Sequence, residues 1–215
     1  MTPALALLHT SPVHVPVFDA LRDAHHPGFE LRHTVDASLL ERARTAGPES
    51  VADAVGTAVA RAVADGAGAV LCTCSTIGAV AERVPAGVPV LRVDRPMAAA
   101  AARERRVVVV AALEGTVEPT VDLIRGAAHG RAPYIRSLLV DGAWALFETG
   151  DRDGYLAAVV AAVDGVRDAD VIVLAQASMA DAAARARTAI PVLSSPRPGL
   201  AAAVAAATSG AATPR

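Results

Sequence analysis

The chain has no lysine; all 20 of its basic residues are arginine. That absence excludes a lysine Schiff base, a lysine-anchored pyridoxal cofactor and the lysine of a phosphate-binding P-loop. Aromatic residues make up only 3% of the 215, so a core has to be built from Ala, Val and Leu. No apolar run approaches the ~18 uncharged residues of a membrane span, so no membrane partner is expected. No basic stripe accompanies the net charge of −2, which argues against nucleic acid as a partner. The opening stretch MTPALALLHTSPVHVPV has no basic segment and is interrupted by His and Pro, so it does not read as a signal peptide. Only two cysteines occur, Cys72 and Cys74. Without a secretion signal they are expected to be free thiols in a reducing, cytoplasmic setting. Their C-x-C spacing comes without C-x-x-C or H-x-x-x-H, so no metal site is expected. No G-x-S-x-G is present, which removes the usual serine nucleophile elbow.

What is present is a globular composition, 53% hydrophobic and 20% charged, enough for one large domain or two small ones. Apolar runs alternate with segments of helical spacing. Strands are expected at Leu5–His9, Phe29–Val35, Ala67–Thr73, Val88–Val93, Arg106–Ala112, Tyr134–Val140, Val171–Ala175 and Pro191–Ser194. Helices are expected at Val15–Ala24, Ser38–Arg44, Glu49–Asp65, from near Glu118 to His129-Gly130, at Leu156–Arg167 and over Gly199–Arg215, the last fading into a frayed tail. Strands that are apolar without alternation belong to parallel sheets covered on both faces.

The two halves repeat one another. Cys74 precedes Pro89-Val90-Leu91 at the spacing with which Gln176 precedes Pro191-Val192-Leu193. Pro16 and Asp19 answer Pro119 and Asp122, and Val35-Asp36 answers Val140-Asp141. Three matches in the same order imply duplication. The expected fold class is α/β, with two pseudo-symmetric lobes, each a small parallel sheet flanked by helices. Residues 1–94, completed by 192–215, form one lobe and residues 95–191 the other. Ligands of open α/β sheets bind beyond the carboxyl ends of strands, so the active site is expected in the cleft between the lobes, with Cys74 on one wall and Gln176 on the other.

Cys74 is the main chemical signal. It sits where a strand gives way to Ser75-Thr76-Ile77-Gly78 and a helix. Free backbone N–H groups at a helix start bind anions, and the same positive field favours a thiolate over a thiol. Cys72 reads as a buried structural residue inside the strand. Arg95 and Arg197, each following a strand, are candidates for holding a carboxylate, although such arginines are more often surface charges. Trp144 reads as core.

Four stretches together resemble the aspartate/glutamate racemase superfamily: LCTCSTIG after a strand, the HTS turn after the first strand, EGTVEPT, and VIVLAQASM. The resemblance spans nearly the whole chain. It implies a cofactor-independent enzyme with two pseudo-symmetric lobes and a thiol on each, flanking an acidic carbon. The first thiol turn falls on Cys74-Ser75-Thr76, the polar turn after the first strand on His9-Thr10, and the threonine of the third turn on Thr116. The second thiol position falls on Gln176, which can hydrogen-bond but not carry a proton. Ser178 mirrors Thr76. Because the superfamily also holds single-thiol decarboxylases and other isomerases, the resemblance fixes the fold better than the reaction.

The expectation is therefore carbanion chemistry next to the carboxylate of a small amino acid or related acid, with no cofactor. Cys74 would be one acid/base, and His9, at a strand-end turn, the best titratable second group. Asp36 and Glu118 are further candidates, each more often a capping or solvated charge. Thr10, Ser75, Thr76, Thr116, Gln176 and Ser178 would bind the substrate. A one-thiol decarboxylase or isomerase of a dicarboxylate, and a non-catalytic binding protein, stand as alternatives. The sequence leaves a homo-oligomer open.

Overall fold

A computed structural model of the chain describes residues 4–210. The tail expected after the last helix, at residues 211–215, lies outside the described residues. The chain divides into two units, one running to Val93 and taking in the C-terminal segment from Pro196, the other Asp94–Ser195.

In the first unit, strands β1 (Ala4–His9), β2 (Leu31–Val35), β3 (Ala67–Cys72) and β4 (Val90–Arg92) form a parallel sheet in the order β2-β1-β3-β4. Between them run α1 (His14–His25), α2 (Ala37–Ala46), α3 (Ala52–Ala64) and α4 (Ser75–Glu82). Side chains alternate across the strands. Ala6, Leu8, Val70 and Cys72 pack under α2, α3 and α4 through Leu39, Val55, Val59 and Ile77. Leu5, Leu7, Ala69 and Leu71 face the other way, against Phe18 of α1. Burial on both faces explains the unbroken apolar runs of β1 and β3. Asp36 starts α2 by accepting the Ser38 N–H at 3.0 Å, the capping role weighed for it from sequence.

The second unit repeats this plan. Strands β5 (Arg106–Ala111), β6 (Tyr134–Leu139), β7 (Val171–Leu174) and β8 (Val192–Leu193) are parallel in the order β6-β5-β7-β8. Its helices are α5 (Arg95–Ala101), α6 (Val117–Gly126), α7 (Ala143–Glu148), α8 (Arg152–Gly165) and α9 (Ala180–Arg185). Val107, Val109, Val171 and Val173 pack with α5 and α6, and Val108, Val110, Ile172 and Leu174 with Tyr155, Leu156 and Val159 of α8. Trp144 is partly buried in the latter cluster, as core. The final helix, α10 (Pro196–Gly210), returns to the first unit, where Leu200, Ala203 and Val204 join Phe18.

The repeat read from sequence has a structural basis. The carbonyl of Pro89 accepts the N–H of Val70, and that of Pro191 accepts the N–H of Ile172, both at 2.9 Å. Leu8 pairs with Cys72 as Val110 pairs with Leu174. The domain boundary differs from the one expected. Residues 192–195 stay with the second unit because β8 is hydrogen-bonded to β7 through Ile172 and Val192. Asp94 also falls in that unit.

Candidate functional site

In each sheet the chain runs from the second strand in the order to its neighbour on one side, then crosses to the other. The crossing makes a switch point, where the connections leave in opposite directions and open a crevice at the strand ends. In the first unit it lies between β1 and β3, at His9-Thr10 and Thr73-Cys74.

Cys74 is the N-cap residue of α4, with extended backbone and no side-chain cap hydrogen bond. It is half-buried, whereas Cys72 is fully buried, its Sγ 3.7 Å from the Cys74 carbonyl oxygen. The helix starts at Ser75 itself, so Ser75 and Thr76 lie in its first turn, where N–H groups have no intrahelical acceptor. Thr76 is 5% exposed, and its Oγ1 has no hydrogen-bond partner among the described residues. A buried hydroxyl without a partner costs about 1–3 kcal/mol, so a partner from outside the chain fits this place. Thr10 and Ser75 are buried at the same strand ends.

His9 lies on the opposite face of the sheet from Cys72. Its Nδ1 is 2.8 Å from Thr73 Oγ1 and its Nε2 is 2.9 Å from His33 Nδ1. His33 in turn approaches Asp19 at 3.4 Å. Burial, with His14 and His33 nearby, pushes the pKa of His9 down to about 3. The ring is held neutral, with both nitrogens engaged. This placement makes His9 a buried structural group rather than a base near neutrality, and it removes the reason for choosing it as the second acid/base.

The second switch point lies between β5 and β7. Here Gln176 occupies the place of Cys74. Its Oε1 accepts the N–H of Ala112 at 2.7 Å and that of Leu113 at 3.3 Å. Thr116 is buried and donates to the Leu113 carbonyl at 2.7 Å. Ser178 Oγ is 2.8 Å from the hydroxyl of Tyr155.

No protein-family model and no curated protein sequence matches the chain. Solved structures do. It is similar to the aspartate racemase of Picrophilus torridus, with a TM-score of 0.74 at 16% identity over 95% of this chain and 94% of that one. It is similar to the glutamate racemase of Francisella tularensis in complex with D-glutamate, with a TM-score of 0.72 at 11% identity over 94% and 79%. Unliganded arylmalonate decarboxylase matches with a TM-score of 0.60 at 20% identity over 96% and 93%. The likeness shows the fold: two parallel-sheet α/β units built as in these racemases and this decarboxylase.

On this racemase fold the strand ends carry Cys74, Ser75, Thr76 and Thr10 in one unit and Gln176 and Thr116 in the other. Three further candidates are exposed. Arg95 and Arg197 are exposed in the first turns of α5 and α10, and Glu118 is exposed at the start of α6. Sequence reading missed Arg92. It ends β4, is buried, and its Nη2 donates to the Ser75 carbonyl at 3.3 Å. Gly78 makes room for it: a Cβ there would lie 3.0 Å from Arg92 Cβ and Nε. The available signal was a charged residue at the end of an apolar strand, beside a glycine-bearing helix. A pocket of about 540 Å³ lined by Arg105, Arg106, Tyr134 and Asp170 lies at the strand starts of the second unit, the end of that sheet opposite Gln176. Among the described residues no helix is long and apolar enough to cross a membrane.

Proposed function

We propose that the chain is a cofactor-independent enzyme of the aspartate/glutamate racemase type. It makes and quenches a carbanion next to the carboxylate of a small acid, with Cys74 as the acid/base. The observation that carries this reading is the half-buried thiol at the N-cap position of α4, at a switch point, with the Thr76 hydroxyl, unpartnered among the described residues, in the first turn of the same helix. A carboxylate on those N–H groups and that hydroxyl would be held as its charge grows toward an enediolate, the stabilisation such a carbon acid requires. Ser75 and Thr10 would complete the donor set. Arg92, through the Ser75 carbonyl, positions the turn.

The environment of Gln176 favours a one-thiol variant of this chemistry. Its carboxamide cannot carry a proton and is engaged with backbone. In decarboxylation the bond between the α-carbon and its carboxyl carbon breaks, carbon dioxide leaves with its oxygens, and the electron pair stays on carbon. The Cys74 thiol then gives that carbon its proton. One acid suffices. The racemase reading needs a second acid/base, and His9 does not suit it.

The test is NMR in deuterium oxide with the whole protein and a panel of amino acids, hydroxy acids and substituted malonates. The expected result is solvent deuterium at the α-carbon of at least one acid. If the carboxyl is retained, the reaction is racemase-type; if it is lost, lyase-type. A panel with neither exchange nor turnover would overturn the proposal in favour of a binding protein.

A further inference from the structure

We infer that Gln176 closes the anion-binding position of the second unit with its own side chain, so that the protein holds a single carboxylate, at the first unit only. The inference rests on the reading of the Cys74 turn as a carboxylate site and names its substrate class: an acid anchored by one carboxylate. The two sheets are built alike, and Gln176 stands two residues past Leu174 as Cys74 stands two past Cys72. Ala112 and Leu113 likewise match Thr10 and Ser11. The second switch point therefore offers adjacent backbone N–H donors at a strand end, the kind of group that binds an oxyanion.

In this unit those donors are taken. The Gln176 oxygen accepts both of them, and the residue is only 7% exposed. A neutral carboxamide oxygen supplies what a ligand's carboxylate oxygen would supply, without the charge. The contrast with the first unit is direct. There the matching side chain is a thiol with no cap hydrogen bond, and the first turn of the following helix holds a buried hydroxyl without a partner. One half is satisfied internally and the other awaits a ligand.

The experiment is ¹⁵N–¹H NMR of the full chain titrated with acetate and, separately, malonate. In the wild type both are expected to shift the amides of Ser75 and Thr76, with similar affinity, and to leave Ala112 and Leu113 unmoved. Gln176→Ala frees the two amides. Acetate should then shift Ala112 and Leu113 in a second saturable step, and malonate should do the same, through charge-assisted hydrogen bonds to the freed amides. Gln176→Asn withdraws the oxygen by one methylene and should give the same second step if the alanine variant does not fold. Gln176→Glu keeps an acceptor there and should give none. Saturable shifts of Ala112 and Leu113 in the wild type would overturn the inference, as would their indifference to acetate in folded Gln176→Ala or Gln176→Asn. Failure of the underlying reading looks different: Ser75 and Thr76 would not respond in any variant, whatever Ala112 and Leu113 do.

Discussion

Cys74→Ser is expected to lower the rate of solvent exchange at the substrate's α-carbon by at least a hundredfold, while the protein stays folded. A positioned acid/base contributes roughly 10²–10⁴ to rate, and a serine hydroxyl is far too weak an acid to be present as the anion. The fold should tolerate the change, because Cys74 is half-buried at a helix cap and serine is among the best N-cap residues. Thermal unfolding should therefore move little while exchange disappears. Cys72→Ser should do the opposite. Its side chain is fully buried in the cluster with Leu8, Val55 and Ile77, so a hydroxyl there costs stability of the order of 1–3 kcal/mol and leaves the chemistry in place. Exchange in Cys74→Ser at the wild-type rate would remove the thiol from the mechanism.

Acidification should destabilise the first unit well before its carboxylates are protonated. His9 and His14 are buried, 0% and 9% exposed. Burial lowers their pKa from 6.5 to about 3 for His9, with further lowering by His14 and His33, and to about 4 for His14. Below pH 6.5 the unfolded chain takes up two protons that the native state refuses. Unfolding then becomes easier by about 1.4 kcal/mol per pH unit for each histidine. Stability is flat in these groups above pH 6.5, falls on the way down, and levels only as the native values near 4 and 3 are reached. Between pH 6.5 and 4.5 the loss is on the order of 5 kcal/mol, a large share of a typical domain's stability. The groups facing His9 are His33 from β2, Thr73 from β3 and Phe18 from α1, and Asp19 of α1 lies behind them against His33. Urea unfolding followed by circular dichroism at several pH values reads the slope. His14→Phe should roughly halve the dependence, because the His14 ring packs near the His9 ring, phenylalanine keeps an aromatic ring there, and it cannot titrate. An unchanged slope in that variant, or a pH-independent wild type, would contradict the burial argument.

Much of this architecture is legible in the sequence because both faces of each sheet are covered. Val107–Ala111 and Val171–Leu174 read as strands because every side chain in them is buried. Asp36 and Gly66 punctuate the chain through a cap and a left-handed turn at φ 87°. The short helices were not legible. Arg95–Ala101, Ala143–Glu148 and Ala180–Arg185 span two turns or fewer, too short for a 3.6-residue period to show, and two of them are runs of alanine. The candidate site divides in the same way. Cys74 was visible because local sequence alone places a thiol at a strand-to-helix turn. The roles of His9 and Gln176 depend on partners 24 and 64 residues away. A histidine read alone titrates near neutrality; surrounded by Phe18, His14 and His33 it does not. Gln176 read alone is an idle substitution for a thiol, and only the register of β5 with β7 brings it onto two backbone amides.

The central claim, that Cys74 is a reactive thiol beside a carboxylate site, meets its most direct test in limited alkylation. The folded protein is treated near neutral pH with a limiting dose of iodoacetamide, with and without excess acetate, and the label is located by mass spectrometry of the peptides. The account predicts label on Cys74 at a rate roughly tenfold or more above that of Cys72, because only Cys74 is accessible and caps a helix, and it predicts slower labelling in acetate. Label on Cys72, label on neither cysteine, or labelling of Cys74 that acetate leaves unchanged would contradict it.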